Sequence, residues 1–470
     1  MKKVLCVFLA LCLLCTCFSV PVFAVSDSEK AMIMQPGEDS TKRNFSWYAP
    51  AGAEDACVYL SLASDMSGAV RFDGRTVDTY QGDRSAKVTV SGLEADTTYY
   101  YTCSAGGENS EIYSFTTPAE DSFSAVYVTD IHISYDGEGT DTLQKGSEKF
   151  ASVLAQAQTK ADLTYLLSAG DQASRGLRCE YTGLTAGNEV KSLAFATTVG
   201  NHDRKGVDYK YFNNIPNEYF GKINDYQSGD YWFCQNSVLF IFINSNNGSG
   251  IDHRNVIKEA VNQNPDAKWR VVVMHHDLYS GAIDSRESDT KALRILFSPI
   301  FDEFNIDLVL LGHNHLYSVT HPVYNGKTVG TLENGGVIEN AEGTVYMVSN
   351  SITRPKDTVP TYNENVAIGL DENTSRVLYN IITFTDDEID VTTYDYDENA
   401  EFASFTIKKD DDFTAPKISF FRKLFGFITS AIGTVYTFFC NITQYNKLTE
   451  DGYDLDFFRV LVNNKDVIDG

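Results

Sequence analysis

Between about residues 28 and 118 hydrophobic and polar positions alternate in short runs: Asn44–Tyr48, Cys57–Leu62, Ala86–Val90, Tyr99–Cys103 and Ile112–Thr117. A period of two broken by turn residues, with no helical period between, predicts a small antiparallel β-sandwich over 28–118. After Pro118 the pattern changes. Apolar runs at Phe123–Thr129, Leu163–Leu167, Leu193–Val199, Trp269–Met274 and Ile306–Leu311 alternate with helical patterns at Leu143–Lys160, Arg254–Asn264 and Arg286–Phe304. That alternation predicts an α/β layered domain over 119–410. The strand-like text from Thr344 to Ile407, including Arg376–Phe384 and Phe402–Ile407, is expected to complete its sheets. Segment 411–470 is an apolar helix candidate followed by an acidic tail: no charge occurs between Lys423 and Lys447, and Leu424–Ile442 is mostly apolar. That length could just span a bilayer. Ser430, Thr434, Thr437 and Asn441 fall on one polar stripe at helical spacing, however, which favours a helix lying on a membrane or on the protein itself.

The first residues change where the chain is expected to work. Lys2 and Lys3, an uncharged apolar run from Val4 to Val20, and Val22-Phe23-Ala24 read as a secretory signal over 1–24, cleaved after Ala24. The mature protein is therefore expected to be secreted or held at the cell surface, peripheral membrane association through 424–442 included. Of nine cysteines, Cys6, Cys12, Cys15 and Cys17 lie in that signal, and the remaining five form no CxxC pair. Cys57 and Cys103 sit in two strand-like runs, where either a bridge or two buried thiols would fit. A formal charge of −26 repels long nucleic acids and, at long range, anionic membranes. The segment Leu93–Tyr101 resembles the part of fibronectin type III domains that carries the tyrosine corner, which implies that Tyr99, Tyr101 and Cys103 point inward.

Each apolar strand of the second region runs into a short polar motif: Asp130-Ile-His132, Gly170-Asp171, Gly200-Asn201-His202-Asp203, Met274-His275-His276 and Gly312-His313-Asn314-His315. Six of the eight histidines fall in these motifs. One Gly-Asp is usually a turn and one His usually a core residue, but five motifs in series, each closing an apolar strand, point to one site at the strands' carboxyl ends. Residues two apart in extended backbone project to the same side, so Asp130 with His132, and His313 with His315, can converge.

The set and its order resemble the calcineurin-like metallophosphoesterases, and the preceding sandwich resembles the purple acid phosphatase branch. The resemblance implies two β-sheets flanked by helices and two metal ions. One ion would be held by Asp130, His132, Asp171 and His315, the other by Asp171, Asn201, His275 and His313. Two cations about 3.5–4 Å apart need a bridging anion, and the Asp171 carboxylate with a hydroxide supplies it. Mixed carboxylate, amide and imidazole donors suit Fe, Zn or Mn better than Ca or Mg. If both are divalent, a local charge of about +1 remains, enough to draw a phosphate dianion at short range.

The implied reaction is attack of metal-bound hydroxide on a small phosphorylated substrate, with His202 as general acid and Asp203 orienting it. Gly170-Asp171-Gln-Ala-Ser-Arg175-Gly resembles the GDxxDRG segment of protein phosphatases, so Arg175 would hold substrate phosphate. His275, four before Tyr279, is favoured over His276, and Asp277 stands where relatives often have Pro. His253 and His321 lie outside the motifs and read as structural or exposed. In the purple branch a tyrosine three residues after the bridging aspartate binds ferric iron; here that position is Ser174, and His132 can take the vacated place. The leading expectation is phosphomonoester hydrolysis. A phosphodiesterase or nucleotidase on the same site, and a non-catalytic cell-surface binding protein, are the alternatives.

Overall fold

A computed structural model of the chain describes residues 31–135, 141–221, 229–279, 287–355, 364–369, 375–451 and 453. The expected signal segment 1–24 and the tail from 454 onward lie outside the described residues. The first unit is built from two antiparallel sheets. One orders Ile33–Pro36, Lys42–Ala49, Arg84–Ser91 and Arg75–Asp78, and the other holds Val70–Asp73, Cys57–Ser61, Thr98–Ala105 and Tyr113–Thr116. Alternate positions close the space between them, with Phe45, Trp47, Val88, Tyr101 and Phe115 all buried. Tyr99 is buried as well, and its hydroxyl accepts the Glu94 N–H at 2.9 Å, fixing the turn that enters its strand. Cys57 and Cys103 lie on paired strands, but Cys103 registers with Val58, and the two are buried without a disulfide between them.

Two seven-stranded sheets form the larger unit. The first runs Ala194–Thr197, Leu163–Ser168, Ser122–Val128, Leu378–Thr385, Glu388–Asp395, Ala400–Lys408 and Gly336–Glu339. The second runs Tyr231–Gln235, Val238–Ile243, Trp269–Met274, Leu308–Leu311, Val345–Val348, Ser318–Thr320 and Val366–Gly369. Late strands thus enter both sheets, Leu378–Thr385 lying antiparallel to Ser122–Val128. The sheets face each other across an aromatic layer: Phe123 stacks on Phe384 at 5.0 Å, and Phe240 meets Phe384 edge-on at 5.3 Å. Helix Asp141–Ala157 covers the outer face of the first sheet, and helices Gly250–Gln263 and Glu287–Phe304 that of the second.

The parallel strands of both sheets end at one edge, and their loops are stitched together there. Asp130 N–H donates to Gly170 O at 3.0 Å, His132 N–H to Asp171 O at 2.9 Å, and Gly312 N–H to His275 O at 2.9 Å. The N-terminal sandwich buttresses this edge. Lys87 Nζ donates to Lys210 O at 2.9 Å, and the Tyr48 and Tyr80 hydroxyls donate to the Asp208 carboxylate at 3.1 and 2.8 Å, fixing the loop that follows Asn201. The last described element is a 31-residue helix, Phe420–Glu450, capped by Ser419 Oγ accepting the Arg422 N–H. It lies on the protein: Ser430, Thr437 and Asn441 of the polar stripe are buried against helices Gly250–Gln263 and Glu287–Phe304 and the loop around Arg204.

Candidate metal centre

The strands do not present their ligands from extended backbone, as the two-residue spacing had suggested. Asp130, His132, Asp171, His313 and His315 all have positive φ, from 49° to 73°. Left-handed backbone at a non-glycine residue costs about 1–3 kcal/mol, so five such residues in one cluster mark strain held in place by a function. The effect is the same convergence by another route. Each chain turns sharply where its strand ends, and Ile131, fully buried between Asp130 and His132, anchors the turn in the hydrophobic layer under the helices.

Seven donors meet in two overlapping groups. In the first, His132 Nε2 lies 3.1 Å from His315 Nε2, and Asp130 Oδ1 lies 3.1 Å from His315 Nε2 and 3.7 Å from His132 Nε2. In the second, Asn201 Oδ1 is 3.0 Å from both His275 Nε2 and His313 Nδ1, which are 3.2 Å apart. Asp171 joins them: its Oδ2 is 3.6 Å from His132 Nε2 and 3.3 Å from His275 Nε2. The structure thus brings all seven expected residues to one place, with Asp171 facing His132 on one side and His275 on the other.

The donor chemistry fits cations. Each carboxylate has one oxygen held by the protein: Asp130 Oδ2 accepts from Thr129 Oγ1 and from His313 N–H, both at 2.8 Å, and Asp171 Oδ1 accepts from His202 N–H at 2.7 Å. The other oxygen of each faces the centre, and Asp130 Oδ1 is buried with no hydrogen-bond donor. His275 Nδ1 donates to Ala169 O and His315 Nδ1 to Arg354 O, both at 2.8 Å, because a carbonyl can only accept. The Nε2 of each ring then faces a carboxylate oxygen, and two facing lone pairs repel unless a proton or a metal cation sits between them. Burial pushes His132 down to about 3, so it too is a neutral imidazole. Burial works against charge on Asp130, but His315 and then His275 hold it well below the usual carboxylate range. Burial also disfavours a charged His275, yet the facing Asp171 pulls it up to about 9; the proton it holds is the one a metal would replace.

Glycines supply the room. A Cβ on Gly312 would stand 2.0 Å from Thr129 Oγ1 and 2.5 Å from Asp130 Oδ2, and one on Gly200 would stand 2.0 Å from Asp171 Oδ1. Gly312→Ala should therefore displace Asp130 and weaken metal binding by about 10- to 100-fold, read by titration against a competing chelator. Unchanged affinity would mean that Asp130 is not a ligand.

Around the donors the structure sorts the remaining motif residues. His276 stays beside the donors, its ring 4.5 Å from that of His313, but its Nδ1 is engaged 2.8 Å from Ser245 Oγ. Asp277 is buried and accepts from Thr290 Oγ1 at 2.9 Å and from the Asn314 amide, so it braces the Gly-His-Asn-His turn. His202 stands edge-on to His132, ring centroids 4.7 Å apart, within the group of His132 and Asp171. Its Nδ1 is 2.8 Å from Ser174 O and 2.7 Å from Lys205 Nζ. The expectation that Asp203 orients this ring needs correction. Asp203 accepts from the backbone N–H groups of Gly200, Gln172 and Ala173 and from the Tyr181 hydroxyl, so it pins the loops of Asp171 and Asn201 together. Burial and the charge of Asp171 push its carboxyl up to about 7, and cations bound at Asp171 would cancel that second cause.

Arg175 is exposed, and its N–H donates to Glu180 Oε2 at 2.8 Å. His253 is structural, with Nδ1 2.5 Å from Asp230 Oδ2 and Nε2 2.5 Å from Asn247 O, and His321 Nδ1 accepts the Leu332 N–H. Two residues near the centre escaped the motif reading: Arg354, whose carbonyl fixes His315, and Lys205, at the ring of His202. Lys205 follows its motif closely enough to have been found; Arg354, 39 residues beyond His315, carries no sequence signal.

Residues 123–317 match the calcineurin-like phosphoesterase family model, and residues 30–117 match that of the purple acid phosphatase N-terminal domain. Purple acid phosphatase 1 of Ipomoea batatas is 24% identical over 310 residues, 59% of this chain and 62% of that protein, so the match spans about three-fifths of the relative's length. An uncharacterized protein of Mycobacterium tuberculosis is 33% identical over 86 residues, 17% of this chain and 16% of its own. Among solved structures, a purple acid phosphatase from yellow lupin (Lupinus luteus) seeds superposes with a TM-score of 0.63 at 13% identity, covering 83% of this chain and 77% of that one. PhoD superposes with a TM-score of 0.53 at 12% identity, covering 87% and 99%. The chain carries a calcineurin-like phosphoesterase domain behind a purple acid phosphatase N-terminal domain, on the fold of a purple acid phosphatase.

Proposed function

We propose that this protein is an exported two-metal phosphomonoesterase, and the observation that carries the reading is Asp171 Oδ2 facing both donor groups at once. Asp130, His132, Asp171 and His315 would hold one ion, and Asp171, Asn201, His275 and His313 the other. Fe, Zn or Mn bound there would supply Lewis-acid activation of water and of the phosphoryl oxygens. The protein's own part is acid catalysis and positioning. His202 keeps Nδ1 on Ser174 O, which leaves Nε2 to protonate the leaving oxygen. Lys205, beside that ring, and exposed Arg175 offer cations to the substrate phosphate. Export rests on the signal-like first 24 residues. The test is metal content per chain together with turnover of an aryl phosphate monoester beside the diester. Turnover of the diester alone would replace this reading with a phosphodiesterase, and no turnover with two metals bound would replace it with a binding protein.

The same reading predicts that the protein is not purple. Ser174 Oγ donates to His132 O at 3.2 Å, three residues after the shared aspartate. Tyr317, two residues past His315, is turned into the sheet core, its hydroxyl 3.0 Å from Thr393 Oγ1 and its ring edge-on to Phe402. Burial raises the pKa of Tyr317, which disfavours the phenolate an iron would need. Protein loaded with iron under air should show no intense visible tyrosinate band. A strong band that vanished in Tyr317→Phe would overturn the assignment.

A further inference from the structure

Helix Phe420–Glu450 is amphipathic in an unusual sense, because its small and polar face is the one docked on the protein. Thr434 Oγ1 lies 3.2 Å from Ser249 Oγ, Asn441 Oδ1 accepts from Arg204 at 2.7 Å, and Arg422 pairs with Asp302 at 2.9 Å. Gly426 and Gly433 let it close on Pro299 and Gly248, where added Cβ atoms would stand 2.8 and 2.4 Å from their neighbours. The bulky residues are left outside. Phe421 is 80% exposed, Phe427 58%, Ile432 66%, Tyr436 70% and Phe439 63%. At 1.5 Å rise per residue the outward apolar face from Phe420 to Phe439 is about 30 Å long, far more than isolated surface hydrophobics.

What covers this face can be read from its polar groups. Thr429 and Thr443 donate their hydroxyls to carbonyls of their own helix, at 3.1 and 3.2 Å, so they ask nothing of a partner. A protein partner would meet a polar rim along the contact, whereas here no charge occurs between Lys423 and Lys447. The cations stand at the two ends of the run, where phosphate headgroups would meet them, as at an interfacial helix. The chain's net charge of −26 opposes an anionic surface only at long range, since the Debye length is about 8 Å at physiological salt.

The helix also leads to the metal centre. Leu448 packs on Val207 in the loop that carries His202, and Arg204, bound to Asn441, is next but one to His202. Burial lowers the pKa of Lys205 in that loop, Asp171 raises it, and the positive charges of Arg354 and Lys447 lower it further. We infer that the outward face of this helix docks on a lipid bilayer and seats the mouth of the metal centre, where Lys205 Nζ stands 2.7 Å from His202 Nδ1, at the headgroup layer, so that lipid-borne phosphate esters are its substrates.

This rests on the phosphatase reading above, and the test separates the two. The full chain, loaded with metal, is floated with phosphatidylcholine vesicles carrying a minor share of phosphatidic acid, beside the variant Phe421→Ser/Phe427→Ser/Ile432→Ser/Tyr436→Ser. These side chains are exposed, so the variant should fold and turn over a soluble aryl phosphate within about twofold of the parent. Its vesicle binding and its release of phosphate from phosphatidic acid should each fall about tenfold or more. Equal flotation of the two chains, or equal release from vesicles, would overturn the inference. So would a parent chain that ignores vesicles and is a dimer where the variant is a monomer, since a second copy would then cover the face. Failure of both chains on aryl phosphate would overturn the phosphatase reading and the substrate class with it, whatever the flotation.

Discussion

Asp171→Ala should empty both metal positions and lower kcat on an aryl phosphate by on the order of 10³-fold or more. The expectation follows from where its two oxygens go. Oδ2 faces His132 at 3.6 Å and His275 at 3.3 Å, one imidazole from each donor group, so removing it opens both at once and deletes a negative charge. Oδ1 accepts the His202 N–H at 2.7 Å, so the loop carrying the proposed acid loosens too. Loss of a terminal donor such as His313 touches one group only and should leave one metal per chain. Alanine is also a poor occupant of a position at φ 53°, which makes folding a competing explanation. Asp171→Asn removes that ambiguity, because asparagine tolerates left-handed backbone and keeps the hydrogen-bond acceptor while losing the charge. Metal analysis and turnover of both variants are the measurements. An Asp171→Asn chain with two tightly held metals and parental turnover would sink the assignment of the bridge.

Much of this centre was legible because metal ligation uses few residue types at fixed places. Asp130, Asp171, Asn201, His275, His313 and the rest each follow an apolar strand, and the strands are parallel neighbours within each of two facing sheets, so order along the chain becomes proximity where the carboxyl ends of both sheets meet. The backbone of the ligands was not legible. Spacing suggested extended segments, whereas Asp130, His132, His313 and His315 sit in left-handed turns that only the packed loops enforce. Asp203 was misread for a similar reason. Adjacency to His202 suggested a side-chain partnership, but three backbone N–H groups from two loops converge on its carboxylate, and donors of that kind carry no sequence signature. The polar stripe of the last helix was visible from its spacing, and the structure adds that it faces inward. Glycines at 426 and 433 could have suggested this, since they mark a face that closes on neighbouring backbone. The tie between Lys87 and the Lys210 carbonyl joins residues 123 apart and had no local cue.

His202→Ala should keep both metals and still lower kcat by about 10²- to 10⁴-fold, the range expected for loss of a positioned proton donor. Its ring stands 4.7 Å from that of His132, yet its Nδ1 is engaged with Ser174 O outside the donor groups, so the side chain borders the metals without supplying one of the seven donors. A general acid must be protonated to act. Burial lowers the pKa of His202, while Asp171, the next influence, raises it. Cations bound at Asp171 would cancel that support, leaving the ring protonated only in acid. The sign follows: kcat should fall as pH rises through a value below the ordinary 6.5 of histidine, and this limb should be missing in His202→Ala. The deficit should also depend on the leaving group. An acidic phenol departs as its anion without help and should lose little, whereas an alkyl alcohol, which cannot leave unprotonated, should lose the most. Measured rates for a series of aryl and alkyl phosphates would read that slope directly. An equal loss across the series, with metal content unchanged, would show that His202 holds the loop of Asn201 in place and that the proton comes from elsewhere.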